Sequence, residues 1–341
     1  MKNVKLFVII CATAIILACN GNEEGGGQAV GQFNGPLQGQ VIMDGKLVNL
    51  ATGAVSVVVA EYNNGDKPLV AVTANGSEFV EMKRLCDFHE SEFFDCLVFR
   101  DAQGRENFRS RMDGWELQSR LPRVSADGQL ITVIDMDKQT LLIIDRAGNI
   151  LDSSRRRVAD AAWTKDGALV YSSGQSIYRV ANSQLTNKAA DTLIQSFDKN
   201  DGKPLHLSVS PDGARIVFSL STRYSSSTIR LTVWTMNVDG SDPQLFARSK
   251  DDFHDLKGWP IWSPDGQWVL VQQSTIHPNN GPGKAGSHTA LRSDVAGHEL
   301  GVESDVQIKL RAACFRQPDC SKREVNVLSS RPIAWVVSSG G

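Results

Sequence analysis

The sequence has almost no net charge, so no surface of one sign dominates the chain. Its 36 Lys and Arg residues are matched by 38 Asp and Glu residues, which leaves a formal charge of -2. Such a balance gives no field that would attract nucleic acid, and we expect no nucleic-acid partner. Hydrophobic residues make up 41% of the 341 residues and charged ones 22%, which is typical of a globular protein.

Motifs of catalysis and metal binding are also lacking. No GxSxG nucleophile motif occurs, and residues 281–287 (GPGKAGS) miss the phosphate-loop pattern because Ala follows the lysine. We therefore predict no catalytic residue, no metal and no cofactor. A metal-dependent lyase is disfavoured because four histidines lack HxH or HxxxH spacing: His206, His254, His277 and His288.

The N-terminal residues indicate export. Two lysines precede an apolar stretch, Leu6–Leu17, whose twelve residues are too few to cross a bilayer, which needs roughly 20, but suit a secretory signal. The segment Ile16–Cys19 resembles the lipobox of bacterial lipoproteins, although its first two positions are loose matches. The resemblance implies a signal peptide of residues 1–18 and a lipid on Cys19. Cleavage as an ordinary signal, with Cys19 a plain cysteine, is the alternative.

The segment after Cys19 is predicted to be a tether. Residues 20–32 are Gly-rich and polar, which is typical of a flexible linker, so residues 19–35 are expected to join the anchor to a domain of residues 36–341. Asn20 is not the Asp that resembles an inner-membrane retention signal. We therefore expect a lipid-anchored protein of the cell envelope, in the outer membrane if the host has two membranes.

Export also decides how the cysteines are interpreted. Without the signal peptide and Cys19, four cysteines remain, and in an oxidising compartment they pair as Cys86–Cys96 and Cys314–Cys320. Free thiols are one alternative. A zinc site is the other, but it lacks close-spaced ligand pairs.

A short phrase recurs along the chain. Residues 208–220 (SVSPDGARIVFSL) and 261–273 (IWSPDGQWVLVQQ) both join a strand to an apolar run through Pro-Asp-Gly, which are turn residues. Weaker copies begin at residues 72, 124 and 163, so the anchoring glycines are spaced by 52, 39, 46 and 53 residues. A second Gly-containing turn follows within most units, as in residues 101–106 and 237–242. Four short strands in about 45 residues predict a propeller blade.

Both ends of the chain complete the predicted ring. Residues 39–62 read as outer strands without an inner one, whereas residues 329–337 (SSRPIAWVV) match the inner strand of residues 257–263 (KGWPIWS). The sequence therefore predicts an all-β, six-bladed propeller that is closed by pairing of the C-terminal strand with the N-terminal blade, which removes exposed strand edges.

The WSPDG phrase, the outer DG turn and the six predicted blades resemble the TolB-like, or WD40-like repeat, propellers over residues 36–337. This resemblance implies the fold and leaves function open. TolB carries a separate N-terminal α/β domain that binds Pal and TolA, whereas only a linker precedes the propeller here. Those partners are therefore not expected.

Candidate binding residues follow from aligning the units on the phrase. The strand that enters the phrase is innermost in a blade, so its first residue should face the channel mouth. The aligned residues that could bind a ligand or a partner's side chain are Asp160, His206, Trp259 and Arg331, beside Leu69 and Leu121. The alternative is that they line a water-filled tunnel. An arginine-rich set is expected on a solvated outer edge, with an anion-binding face as the alternative: Arg105, Arg109, Arg111, Arg120, Arg123 and residues 155–157.

Two functions from different classes fit these features. The first is a non-enzymatic scaffold lipoprotein that binds an envelope protein or glycan through a propeller face. The second is an envelope lyase or hydrolase that acts on a glycan or lactone at the channel mouth. The lack of an acid/base or metal motif favours the first.

Overall fold

The structure is a computed structural model that describes residues 37–43, 45–50, 55–59, 69–73, 76–87, 93–112, 119–135, 139–181, 184, 187–199, 202–223, 229–249, 254–275, 285–300, 307–310 and 332–337. These residues form six mainly antiparallel sheets arranged as the blades of a propeller. No helix within these ranges is long and apolar enough to cross a membrane. The predicted all-β, six-bladed fold is confirmed.

The strands follow one another from the channel outwards in blades two to six, whereas blade one takes its innermost strand from the C-terminal part of the chain. Blades one to three contain β1 (Gln40–Met43), β2 (Lys46–Asn49), β3 (Val55–Val57); β4 (Leu69–Val72), β5 (Glu78–Asp87), β6 (Phe93–Asp101), β7 (Glu106–Met112); and β8 (Ser119–Val124), β9 (Leu130–Asp135), β10 (Thr140–Asp145), β11 (Ile150–Arg156). Blades four and five contain β12 (Val158–Trp163), β13 (Leu169–Ser173), β14 (Ser176–Val180), β15 (Thr192–Ser196); and β16 (Lys203–Val209), β17 (Arg215–Arg223), β18 (Ile229–Asn237), β19 (Gln244–Ser249). A 3-10 turn, Lys188–Ala190, precedes β15. The remaining strands are β20 (His254–Trp262), β21 (Trp268–Thr275), β22 (Ala285–Arg292), β23 (His298–Leu300), β24 (Gln307–Leu310) and β25 (Pro332–Val336).

The ring closes as the sequence predicts. Strand β25 pairs antiparallel with β1, with Val41 opposite Trp335 and Gln40 opposite Val336, and so supplies the innermost strand of blade one. The Trp335 indole N–H also donates to the Gln38 carbonyl oxygen at 2.7 Å. Two distant parts of the chain thereby form one sheet.

The repeated phrase forms the same turn in each unit. The Ser125 hydroxyl donates to the Asp127 carboxylate at 2.6 Å, and the Leu130 N–H donates back to the Ser125 oxygen at 2.9 Å. Ser210 and Ser263 repeat both contacts in blades five and six. Because the serine hydroxyl stabilises the charged carboxylate, it lowers the pKa of Asp127. The glycine of each phrase has a positive φ, which only glycine adopts without strain.

Glycines of the outer turns let neighbouring blades approach closely. Gly240, between β18 and β19, has a φ of +90°, and a Cβ there would overlap the carbonyl oxygen of Ile194 in blade four. Gly104 of blade two shows the same close approach, because a Cβ added there would lie 2.6 Å from the Val58 carbonyl oxygen. The outer turns therefore fit against the edge strand of the preceding blade.

The core lies between the blades. One cluster of buried apolar side chains fills the interface of each neighbouring pair, for example Val80, Leu97 and Phe99 of blade two against Ile131 and Leu142 of blade three. The channel at the centre is therefore not the core, and its lining is available for other roles.

The predicted disulfide Cys86–Cys96 is present and joins β5 to β6, with the two Cα atoms 6.1 Å apart. Cys314 and Cys320 lie outside the described residues.

One strand departs from the simple repeat. Strand β23 pairs in parallel with β19 of blade five, while β24 is the outermost strand of blade six. His298 at its start is buried, donates from Nε2 to the Arg292 carbonyl oxygen at 2.9 Å, and packs edge-on against Phe246. Burial lowers the pKa of His298. This excursion covers the exposed edge of blade five.

Candidate functional site

The predicted mouth lies where the innermost strands begin. All of these strands run toward their repeat turns, so their first residues gather at the opposite end of the channel. Asp160 is on β12, His206 on β16 and Trp259 on β20, which are the innermost strands of blades four, five and six. Arg331 and Cys19 lie outside the described residues.

A register shift occurs near this end of five innermost strands. The strands with a register shift are β8 (between Arg120 and Arg123), β12 (Val158 and Asp160), β16 (Leu205 and Ser208) and β20 (Gly258 and Ile261). In β25 the shift lies opposite Ile42 and Met43 of β1. Strand β4 keeps a regular register with β5. A bulge turns a side chain away from the alternation of a regular strand. The bulges therefore give His206 and Trp259 directions that strand periodicity does not predict.

His206 and Trp259 form a stacked pair across two blades. Their ring centroids are 3.7 Å apart with an interplanar angle of 23°, and both residues are half-buried. The Trp259 N–H points to His206 Nδ1 at 3.4 Å, and the Ser219 hydroxyl is 3.3 Å from the same nitrogen. Since Nδ1 accepts the Trp259 N–H, the neutral ring carries its proton on Nε2.

Both members of the pair hold a strained backbone. The φ angles of His206 and Trp259 are +56° and +54°, in the left-handed region that bulky residues rarely adopt. Each such residue costs on the order of 1–3 kcal/mol, and such strain clusters at functional sites. Gly258 permits the approach, because a Cβ there would lie 2.9 Å from His206 Nδ1 and overlap the Ser219 oxygen.

Trp259 also contacts the other side of the channel entrance. Its side chain packs against the apolar cluster of Ile42 and Val336 in blade one with Val70 and Phe79 in blade two. The indole therefore connects blade five, through His206, with blades one and two. The stacked pair and this contact thus link the innermost strands of blades five and six to blades one and two.

Asp160 binds the backbone of its neighbours. One carboxylate oxygen accepts the Ala161 N–H and the other accepts the Leu207 N–H of blade five, both at 2.8 Å. The residue is buried, and the Arg123 guanidinium of blade three is 3.8 Å from the second oxygen. Asp160 thus joins blades three, four and five just below the His206–Trp259 pair.

Beneath the mouth, the centre of the ring encloses a cavity of about 160 Å³ that is partly open. Every innermost strand contributes to its wall, through Ala71 and Val72, Pro122 to Val124, Ala162 and Trp163, Leu207 to Val209, Ile261 and Ala334. Arg123 lies here and not on the outer edge that its position in an arginine-rich stretch suggested, because β8 is the innermost strand of blade three.

Sequence reasoning missed a repeated bond between blades. The Trp163 indole N–H donates to the Arg123 carbonyl oxygen at 3.2 Å, and the Trp262 indole N–H donates to the Ser208 carbonyl oxygen at 3.3 Å. Both tryptophans directly precede the Ser or Thr of the repeated phrase. The tryptophan at the same position of WTKDG and WSPDG was the feature of the sequence that could have predicted this hydrogen bond.

The histidines considered as metal ligands are spread over the fold. His206 is on β16, the innermost strand of blade five, while His288 is fully buried on β22 opposite Gln272 of β21. His254 begins β20, and His277 lies outside the described residues. Within the described ranges, no group of three or more His, Cys, Asp or Glu side chains could hold a metal ion.

Comparison with solved structures shows the fold. TolB from Acinetobacter baumannii is similar with a TM-score of 0.53 and 15% identity, over 83% of this chain and 65% of that one. A putative TolB from Agrobacterium tumefaciens has a TM-score of 0.49 and 17% identity, over 74% and 84% of the two chains. Hydrazine synthase from Kuenenia stuttgartiensis has a TM-score of 0.47 and 15% identity, over 66% of this chain and 63% of that one.

This chain thus spans less than two thirds of the length of two of these structures. No family model matches it, and a search of curated proteins found no match. Six blades of four or five strands, the closure by β25 and the likeness to Acinetobacter baumannii TolB together make the protein a six-bladed β-propeller with a TolB-like fold.

Proposed function

We propose that this protein is a non-enzymatic scaffold lipoprotein of the cell envelope, anchored through Cys19, that binds an envelope protein or glycan at the propeller mouth. The observation that carries the proposal is the His206–Trp259 stack. Its two rings are half-buried, come from neighbouring blades and rest on a strained backbone. Half-exposed tryptophans on a rigid frame are typical anchors of recognition sites, and strain of this kind requires a compensating role.

The chemistry of the pair fits binding. A stacked indole and imidazole offer a flat apolar surface for a side chain or a sugar ring, and the imidazole adds one polar group. Asp160 joins two blades at this place, because one of its oxygens accepts the Ala161 N–H and the other accepts the Leu207 N–H.

The mouth is tested by crosslinking and pull-down of the full chain from its native cells. The wild type is compared with the His206→Ala, Trp259→Ala double variant and with Phe108→Ala, a control that removes an aromatic ring exposed on the outer strand of blade two. We expect the wild type and the control to capture the same partner and the double variant to lose it while remaining folded. Equal capture by all three proteins would refute the mouth as the binding site.

Stability of the double variant distinguishes binding from packing. Trp259 is half-buried, so its truncation should cost less than the about 3–5 kcal/mol typical of a core tryptophan. A larger loss would assign Trp259 to structure. Glycan or lactone turnover by the wild type that the double variant lacks would favour the enzymatic alternative.

The anchor has its own test. Metabolic labelling with a palmitate analogue should tag the wild type and leave Cys19→Ser unlabelled, because Cys19 is the predicted acceptor. Cys86 and Cys96 serve as internal controls, since they are joined in a disulfide. Equal labelling of the two proteins would contradict the lipid anchor.

A further inference from the structure

The cavity beneath the mouth contains an unusual guanidinium. Arg123 is the charged residue in the wall described above, and its side chain is 18% exposed. Apart from Ser208, the other residues of the wall are alanine, valine, leucine, isoleucine, proline and Trp163. A guanidinium in such surroundings needs partners for its N–H donors, because burying them unpaired is costly.

The protein itself satisfies this guanidinium poorly. Among the described residues, its contact is with Asp160, at 3.8 Å, and that separation is too long for a hydrogen bond. Asp160 is held away by the Ala161 and Leu207 N–H groups, which donate to its two oxygens. A guanidinium has five N–H donors and matches a carboxylate through two parallel hydrogen bonds.

From this arrangement we infer that the channel cavity is a binding site for a carboxylate carried on a small apolar body, with Arg123 as its anchor. The volume of about 160 Å³ is close to that of a cavity of about 150 Å³ that accommodates benzene. The carboxylate pairs with the guanidinium, and the apolar body contacts side chains such as Val124, Leu207 and Ile261.

The carboxylate could come from a free small acid or from the C-terminus of a partner chain that enters the channel. This site is independent of the proposed mouth, because neither His206 nor Trp259 lines the cavity. The inference therefore goes beyond the proposed function, and the two can fail separately.

Titration of the full chain with benzoate, followed by NMR of the tryptophan indole N–H groups, tests the site. The Trp163 indole lines the cavity and donates to the Arg123 carbonyl oxygen, so its signal should shift and saturate. The indole signal that disappears in Trp163→Phe is the one that belongs to Trp163 among the 7 tryptophans of the chain. Benzamide, which has the same shape without the charge, should bind at least about tenfold more weakly.

Variants then identify the anchor. Arg123→Gln should weaken benzoate binding by about tenfold or more, whereas Arg248→Gln should change it by less than about twofold, because Arg248 is exposed on β19 and pairs with Glu299. A peptide ending in a phenylalanine carboxylate and its C-terminal amide distinguish the sources. Tighter binding of the acid peptide than of benzoate assigns the site to a chain terminus, and the reverse assigns it to a free acid.

The benzoate and benzamide comparison uses the wild type, so it stands even if Arg123→Gln fails to fold. The inference is overturned if no carboxylate produces a saturable Trp163 shift, if benzamide binds as well as benzoate, or if a folded Arg123→Gln binds benzoate like the wild type. Retention of benzoate binding by the His206→Ala, Trp259→Ala double variant is expected, and it separates this site from the mouth.

Discussion

The interlocking of neighbouring blades can be tested at a single glycine. Gly240 has a φ of +90°, and a Cβ at this position would overlap the Ile194 carbonyl oxygen and lie 2.7 Å from the carbonyl carbon. Gly240→Ala therefore combines backbone strain with a collision against blade four. Gly174→Ala is the matched control, because Gly174 has a φ of +61° but nothing within 4 Å of an added Cβ.

The two variants separate the two costs. A left-handed alanine costs about 1–2 kcal/mol relative to glycine, and this is the whole expected effect of Gly174→Ala. An added methyl group that forces backbone to move costs about 1–3 kcal/mol more. The free energy of unfolding should therefore fall by about 1–2 kcal/mol for Gly174→Ala and by about 2–5 kcal/mol for Gly240→Ala.

Denaturant unfolding of the purified protein, followed by tryptophan fluorescence and by circular dichroism, measures both values. The unfolding transitions measured by the two probes must coincide, because a free energy of unfolding is defined only if the blades unfold together and not in steps. If Gly240→Ala costs no more than Gly174→Ala, the outer turn does not interlock with blade four, and the reasoning from close approach is wrong.

Three further perturbations address closure, acid stability and the mouth. Deletion of residues 331–341 should lower the melting temperature far more than deletion of residues 338–341, because it removes β25 and the buried Trp335 ring; equal melting temperatures would refute closure. The serine hydroxyl lowers the folded-state pKa of Asp127, so its contribution to stability is present above the unfolded pKa of about 4 and is lost as pH falls through the lower folded value. Asp127→Asn should therefore flatten the pH dependence of unfolding below about pH 4, and an unchanged slope would contradict this. His206→Gly should be more stable than His206→Ala by about 1 kcal/mol, since φ is +56° there; the reverse order would remove the argument from strain.

Local chemistry explains what could be predicted. A turn needs only a few neighbouring residues, so the Ser or Thr, the Asp or Asn and the Gly of each phrase located the strand ends of five blades, and the chain ends supplied the sixth. The Cys86–Cys96 bridge was predictable for the same reason, because it closes a short loop. The channel-mouth residues Asp160, His206 and Trp259 were placed on the correct strands by alignment on the phrase, although their binding role stays a prediction.

The geometry of the candidate site was harder to predict from the sequence, because it depends on contacts between residues that are distant in sequence. Asp160 reads as a possible ligand group until the Leu207 N–H of the next blade is seen to occupy one of its oxygens. The strained backbone of His206 and Trp259 depends on bulges in two separate sheets. Arg123 belongs to an arginine-rich stretch that suggests a solvated edge, yet the radial order of the strands places it in the channel.

The repeat, the turn in each unit, the number of blades and the strand that closes the ring are all readable from the sequence, because hydrophobic runs and turn residues act over a few positions. The contents of the centre of the ring depend on how the folded blades meet. The His206–Trp259 stack joins residues 53 positions apart, and the ion pair of Arg123 with Asp160 joins two different blades. Such contacts arise when six separately specified sheets are brought to a common axis, and no local pattern records which side chains meet there.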